Sequence, residues 1–398
     1  MISADWLERN LPEMVCIRRD LHAHPEIGLE EFRTSQIVYD QLVAAGIDAE
    51  RHIGVTGVVG TIHGDRPGPT IGLRADMDAL PIIERTDLPY ASTNGLMHAC
   101  GHDGHTTMLL TAARWLSANR NFPGTVHLIF QPAEEGRGGA SAMIRDGLFE
   151  RFPCDMIFGL HTTAGMPVGR FGIRDGAMLA GASEWRVIFR GRGGHGGVGP
   201  HLSQDITYAS AHFIIGLQGI VGRNIAPLET AVLSVGHIGA GSPNSFNVVP
   251  SELVICGTAR CFSEQTGATL EQRLREVAEG TAQTWGSMVE THFRSLMPPL
   301  INDRSCYEIA LATAHEIAAE ESLVNPELGQ STGAEDFATM MLVVPGAFMR
   351  IGNGVLADGT FHATHTPKFD FNDDIIGLGA NYWVSLVHMA ARSVQQNA

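Results

Sequence analysis

The chain has 398 residues, 44% hydrophobic and 18% charged, with a formal net charge of -16; this length accommodates two domains, and the composition is that of an ordinary globular protein. The acidic balance argues against nucleic acid or an anionic membrane surface as a partner, so an anionic substrate has to be met by a local cation. Cysteines 16, 100, 154, 256, 261 and 306 are scattered rather than arranged as staples, no run approaches the ~18 apolar residues of a membrane span, and the first nine residues lack a signal-peptide pattern, which together predict a reducing, cytoplasmic setting.

Taken in order, residues 5–22 read as an amphipathic helix with Trp6, Leu7, Leu11, Met14, Val15, Ile17 and Leu21 near one face. The stretch His22-Ala23-His24-Pro25-Glu26 is either a polar helix exit stopped by proline or a segment near the active site. A helix at 31–45 closes on Gly46. Strand-like runs follow at 55–63, 70–75, 125–130 and 155–160, with helices at 104–118 and 138–147. Nearly continuous apolar strands alternating with helices predict an α/β fold, a mostly parallel sheet with helices on both faces. From about residue 181 the pattern changes to strand 183–190, helix 203–223, strands 230–239 and 252–262, helix 266–285 and strand 287–295. That βαββαβ order is the signature of a ferredoxin-like α+β unit. Residues 182–297 are therefore expected to be an inserted lid or dimerisation domain within a catalytic domain formed by 1–181 and 298–398. A helix at 306–320, a short strand at 347–351 and a helix at 375–394 complete the chain.

Chemistry-bearing side chains concentrate at strand ends. Asp76 follows one strand, Glu134 and Glu135 another, and His161 a fourth. Open α/β sheets place their ligands at the carboxyl ends of strands. The stretch Met97-His98-Ala99-Cys100-Gly101-His102-Asp103-Gly104-His105 adds a thiol and imidazoles at the start of a helix, where the dipole favours a thiolate. A thiol, imidazoles and carboxylates at one edge suit metal ions with an open position for water, and the surplus of ligands allows two ions. Glu134 and Glu135 point to different sides if extended, so one can bind metal while the other moves protons.

Several segments are long enough to be specific. Arg19-Asp20-Leu21-His22-Ala23-His24-Pro25-Glu26, Leu73-Arg74-Ala75-Asp76-Met77-Asp78-Ala79-Leu80-Pro81, the Met97–His105 stretch, Gln131-Pro132-Ala133-Glu134-Glu135-Gly136, Gly193-Gly194-His195-Gly196, Phe246-Asn247-Val248-Val249-Pro250 and His365-Thr366-Pro367 run in one order across the chain. With them the chain resembles the metallopeptidase family of aminoacylases and carboxypeptidase G. The resemblance is nearest to its branch of hippurate hydrolases, N-acetyl-amino-acid deacetylases and plant indoleacetyl-amino-acid hydrolases.

The resemblance implies roles by position. Cys100, His102, Glu135, His161 and His365 match metal ligands, Glu134 the general base, and Asp76 a supporting carboxylate on the catalytic edge. His195 matches a residue that reaches a partner subunit's site and steadies the oxyanion, and Asn247 and Arg260 match positions that hold the substrate carboxylate. His362, three residues before His365, competes for the ligand role, and the His-Thr-Pro context favours His365. His24 and His105 are candidate supports for the ligating imidazoles. The expected activity is metal-dependent hydrolysis of an N-acyl L-amino acid, with two divalent ions (zinc, manganese, nickel or cobalt) in a homodimer or larger homo-oligomer. A dipeptidase or carboxypeptidase of the same family, or a non-catalytic binding protein on the same scaffold, are the alternatives.

Overall fold

A computed structural model describes residues 1–396. The chain forms two compact units: residues 1–176, 301–329 and 336–398 make the first, and residues 177–300 and 330–335 the second.

The first unit is built on an eight-stranded sheet. By first residue, the strand order is Asp48, Gly57, Pro123, Arg66, Met156, Gly346, Phe171, Val324. The four central strands, Pro123–Gln131, Arg66–Asp76, Met156–Ala164 and Gly346–Gly354, run parallel. Their apolar runs are buried almost throughout, as a sheet covered on both faces requires. The strand Gly57–His63 joins this centre antiparallel, and Asp48–Ile53 pairs antiparallel with it at the edge. The latter strand carries Asp48, Glu50 and Arg51 with only Ile53 fully buried. Such a charged edge strand has no apolar run to reveal it in the sequence. The helix expected at 138–147 is Gly139–Arg145, and Gly147, left-handed at φ +84°, separates it from a further short helix, Leu148–Arg151.

In the second unit, strands Gly181–Arg190, Ala231–Ala240, Glu252–Cys261 and Met288–Met297 form an antiparallel sheet. Its order by first residue is Ala231, Glu252, Gly181, Met288. With helices Ile206–Asn224 and Glu264–Trp285 interposed, this is the ferredoxin-like arrangement that the element order predicts. A buried cluster that includes Trp185, Phe189, Phe213, Leu217, Leu270 and Leu274 packs the helices onto one sheet face. Among the described residues no helix is long and apolar enough to cross a membrane.

One polar network in the first unit fixes the start of the helix His102–Ala118. Arg18, fully buried in the helix Ala4–Ala23, lies 2.9 Å from Asp103, 2.6 Å from Asp370 and 3.4 Å from Asp373. His22, one turn further on, bridges Asp103 at 2.8 Å and Glu84 at 3.1 Å. Burial alone would lower the His22 imidazolium, but the hydrogen bonds to Asp103 and Glu84 outweigh it and raise it to about 9.

Replacing Arg18 by Met removes the cation shared by Asp103, Asp370 and Asp373 and leaves His22 to face the buried Asp103. Breaking a buried pair from one side costs about 3–5 kcal/mol, so Arg18→Met should lower the unfolding free energy in urea by that order. The His22 contribution is fully present below its unfolded pKa of ~6.5 and is lost as pH rises through about 9. The urea midpoint should fall across that window, and His22→Gln should flatten the fall; an equal decline in both proteins would acquit His22.

Candidate metal centre

The turn that delivers the thiol depends on Gly101, which precedes the helix His102–Ala118 at φ +90°. A Cβ at that position would also stand 2.8 Å from Thr162 Cγ2. The loop carrying His365 is tied to this turn, because the His365 N–H donates to the Ala99 carbonyl at 2.8 Å. His365 itself is left-handed at φ +62°, which costs a non-glycine residue about 1–2 kcal/mol.

These elements bring the expected residues of the first unit together. Cys100, Glu135 and His365 place potential ligand atoms within 4.8 Å of one another, as do His102, Glu134 and Glu135, and Asp76, His102, His105 and His161. Cys100 Sγ lies 3.4 Å from His161 Nε2, and His365 Nε2 lies 3.0 Å from Glu135 Oε1. His161 sits inside its strand rather than after it, since the strand continues to Ala164.

The free nitrogens can be read from the hydrogen bonds. His102 Nδ1 lies 3.2 Å from Asp78 Oδ1, and its buried Nε2 has no hydrogen-bond partner. His161 Nδ1 donates to the Thr162 carbonyl at 2.6 Å, which leaves Nε2 as the lone pair facing Cys100. His105 is saturated: Nδ1 donates to Asp76 at 2.7 Å, and Nε2 accepts the Thr162 N–H at 3.0 Å. His362 is exposed and joins none of these groups among the described residues. His24 is largely exposed and bonds the Asp20 carbonyl of its own helix.

Electrostatics favour a cation here. Burial would lower the His102 imidazolium, yet Asp76, Asp78 and Cys100 raise it well above its ordinary range. Hydrogen bonds to Cys100 and Glu135 raise His365 to about 10. Burial and the Arg350 charge instead push His161 well below that range and keep it neutral. A cluster that draws protons onto its imidazoles is one where a metal ion can replace them. Thiolate, imidazole and carboxylate together suit zinc and its neighbours, and the unpartnered Nε2 of His102 is the buried atom such an ion would satisfy.

Asp76 supports this edge from beneath, held by Arg74 at 2.8 Å as well as by His105. The carboxylate hydrogen-bonded to His102 is Asp78, whose Oδ2 also accepts the Glu135 N–H at 2.9 Å. Sequence reasoning passed over Asp78, although its place two residues after Asp76 at a strand end was the available signal. Glu134 is buried, and its Oε1 accepts the Asp336 N–H at 3.2 Å. The Asp336 carboxylate in turn accepts from Gln131 Nε2 and from the Ala140 N–H. Nothing in the spacing of Asp336 pointed to Glu134, 202 positions away.

In the second unit His195 and Asn247 are neighbours. The short strands Gly194–His195 and Val248–Val249 pair, and the Asn247 amide lies 3.2 Å from His195 Nε2. His195 Nδ1 accepts the Gly197 and Val198 N–H groups, each at 3.1 Å, so the neutral ring carries its proton on Nε2 and the Asn247 amide has to turn its oxygen, not its nitrogen, toward it. Arg260 stands apart from this pair in the four-stranded sheet, opposite Val232 and Ala182, with one guanidinium nitrogen on the Ala259 carbonyl.

The sequence model of peptidase family M20/M25/M40 matches residues 72–389. The chain is 38% identical over 378 residues to hippurate hydrolase of Campylobacter jejuni, covering 93% of this chain and 94% of that protein. It is 38% identical over 387 residues to N-acetyl-L-cysteine deacetylase of Bacillus subtilis, covering 97% and 89%. Among solved structures, a dinuclear metal binding peptidase of the M20 family from Bacillus subtilis superposes with a TM-score of 0.84 at 30% identity, covering 97% of this chain and 99% of that one.

The helix start also makes a packing prediction. A Cβ at Gly104 would lie 2.2 Å from the ring of the buried Phe371. Alanine gains about 1 kcal/mol in helix propensity, whereas overpacking a rigid core costs about 1–3 kcal/mol. Gly104→Ala should therefore be less stable in urea than the parent; a more stable variant would mean that Phe371 moves aside freely.

Proposed function

The chain belongs to peptidase family M20/M25/M40, and from that premise we propose that it is a metal-dependent amidohydrolase cleaving N-acyl L-amino acids to a carboxylic acid and a free amino acid. The observation that carries this reading is the convergence of Cys100, His102, Glu134, Glu135, His161 and His365 on one edge of the sheet. Relatives named for hippurate hydrolysis and N-acetylcysteine deacetylation, alike over nearly the whole chain, support the substrate class.

Cys100, His102, Glu135, His161 and His365 would hold two divalent ions, zinc first by the softness of the set, with manganese, nickel or cobalt as alternatives. Such ions supply Lewis acidity that acidifies a water and polarises an amide carbonyl. Asp78 orients His102 and the Glu135 backbone, and Asp76 locks His105 and the strand end beneath them. Glu134 takes the proton of the attacking water and returns it to the leaving amine. The Asp336 N–H holds one oxygen of Glu134 in place, and the proton exchange that Glu134 performs is a role worth 10²–10⁴-fold. His195 offers Nε2–H to the developing oxyanion, a donor worth about 10²–10³, and acts in a partner subunit's site, so that the working form is a homodimer or larger. Asn247 and Arg260 take the amino-acid carboxylate, for which a guanidinium fork suits two parallel hydrogen bonds. The setting is cytoplasmic.

A metal-replete panel of hippurate, N-acetyl and indoleacetyl amino acids and unblocked dipeptides should show turnover of the N-acyl compounds above that of the dipeptides; faster dipeptide cleavage would move the assignment to a dipeptidase. Glu134→Gln should retain metal while kcat drops by at least about 10²-fold. An unchanged rate in that variant would overturn the mechanism.

A further inference from the structure

Glu134 is aimed by the residue before it. Ala133 is left-handed at φ +53°, a conformation disfavoured for any residue with a Cβ. Its N–H donates to Oε1 of Glu31 at 2.8 Å, across 102 positions of sequence. Oε2 of Glu31 accepts the Thr56 hydroxyl at 2.6 Å, and the side chain is fully buried. From the other side Gly28 approaches so closely that a Cβ on it would stand 2.9 Å from both Ala133 Cα and Cβ.

The segment that makes this grip is itself fixed. The Glu26 carboxylate accepts the Arg33 and Thr34 N–H groups at 3.0 and 2.8 Å, which caps the helix Phe32–Ala44. The Ala79 N–H donates to the Glu26 carbonyl at 2.8 Å, and Arg137 donates to the Gly28 carbonyl at 3.1 Å. Residues 26–31 are thus anchored at both ends and hold Ala133 from two directions. Burying a carboxylate is a costly way to satisfy one amide and one hydroxyl, unless the place of that amide matters.

We propose that Glu31 is a positioning residue for Glu134: by holding the Ala133 amide it fixes the left-handed turn that aims Glu134 at the Asp336 N–H and at the proton it moves. The proposal rests on the amidohydrolase reading for what Glu134 does. Glu31 contacts none of the residues assigned to substrate or metal, so its loss acts on the chemical step. A misplacement of about 1 Å costs on the order of 10²-fold in rate.

The test compares the parent with Glu31→Ala and Glu31→Gln. Gln keeps a carbonyl acceptor for the Ala133 N–H, and its amide can donate to the Thr56 hydroxyl. Expected for E31A is a kcat lower by roughly 10–100-fold with KM held, and for E31Q a kcat close to the parent. Hydrogen–deuterium exchange over residues 131–136 should speed up in E31A and stay parent-like in E31Q, a readout independent of turnover. If E31A does not fold, Gly28→Ala carries the test, since it presses on Ala133 with Glu31 intact and should likewise lower kcat at constant KM. A folded E31A or G28A with parental kcat, or parental exchange in E31A, overturns the proposal. A parent inert towards every N-acyl amino acid but showing the exchange pattern would instead sink the amidohydrolase reading and leave the grip on Ala133 standing.

Discussion

A single buried carboxylate, Asp78, joins the two halves of the centre. One oxygen faces His102 at the start of a helix, and the other accepts the N–H of Glu135 in the loop after the strand Pro123–Gln131. These elements reach the same place from opposite directions in the chain, and nothing in either alone sets their separation. A side chain with two acceptors at fixed spacing does. It also decides chemistry: with Nδ1 of His102 engaged, the lone pair available to a metal is Nε2, and the orientation of the ring is fixed at the same time.

Around that carboxylate the fold concentrates negative charge and then compensates it locally. Asp76 is held by Arg74, and Asp103 by Arg18 and His22, each within hydrogen-bonding distance and out of solvent. A buried carboxylate without a partner would protonate or destabilise the fold by several kcal/mol. Arg74 and Arg18 therefore sit one layer out, where they support the backbone without competing for the thiol and imidazoles. The surplus left at the centre is what raises His102 and His365, and it is the reason the cluster favours a divalent cation. The chain-wide charge of -16 has no bearing on this; the balance is struck within a few Å.

How far the sequence could be read follows from the range of each interaction. The parallel core strands were legible because burial on both faces demands continuous apolar runs, and the second unit because its element order is diagnostic. The ligand-type residues were legible because they cluster at strand ends within short motifs. Asp336 and Glu31 were not: Asp336 gives its own N–H to a carboxylate 202 positions away, Glu31 accepts one 102 positions away, and a hydrogen bond between a backbone amide and a distant carboxylate leaves no periodicity. Asp78 is an intermediate case: it stood in a recognised motif, but choosing it over Asp76 needs the knowledge that the strand ends at Asp76. The edge strand Asp48–Ile53 was hidden for a different reason, since its polar residues face solvent and carry no burial signal.

Two of the six left-handed non-glycine positions among the described residues lie at the chemistry. Ala133 and His365 are both left-handed without being glycine; one precedes Glu134 and the other is itself a proposed ligand. Glycine would adopt either conformation more cheaply but would leave the turn free to open. A residue with a Cβ, held by one external hydrogen bond at Ala99 and another at Glu31, has fewer alternatives once the bond is made. At His365 the side chain is needed in any case. At Ala133 it is not, and there the methyl group packs against Gly28, where the missing Cβ gives the room. The pairing of a strained alanine with a bare glycine turns flexibility in one segment into rigidity in the other, and the rigid one carries the residue proposed to move the proton.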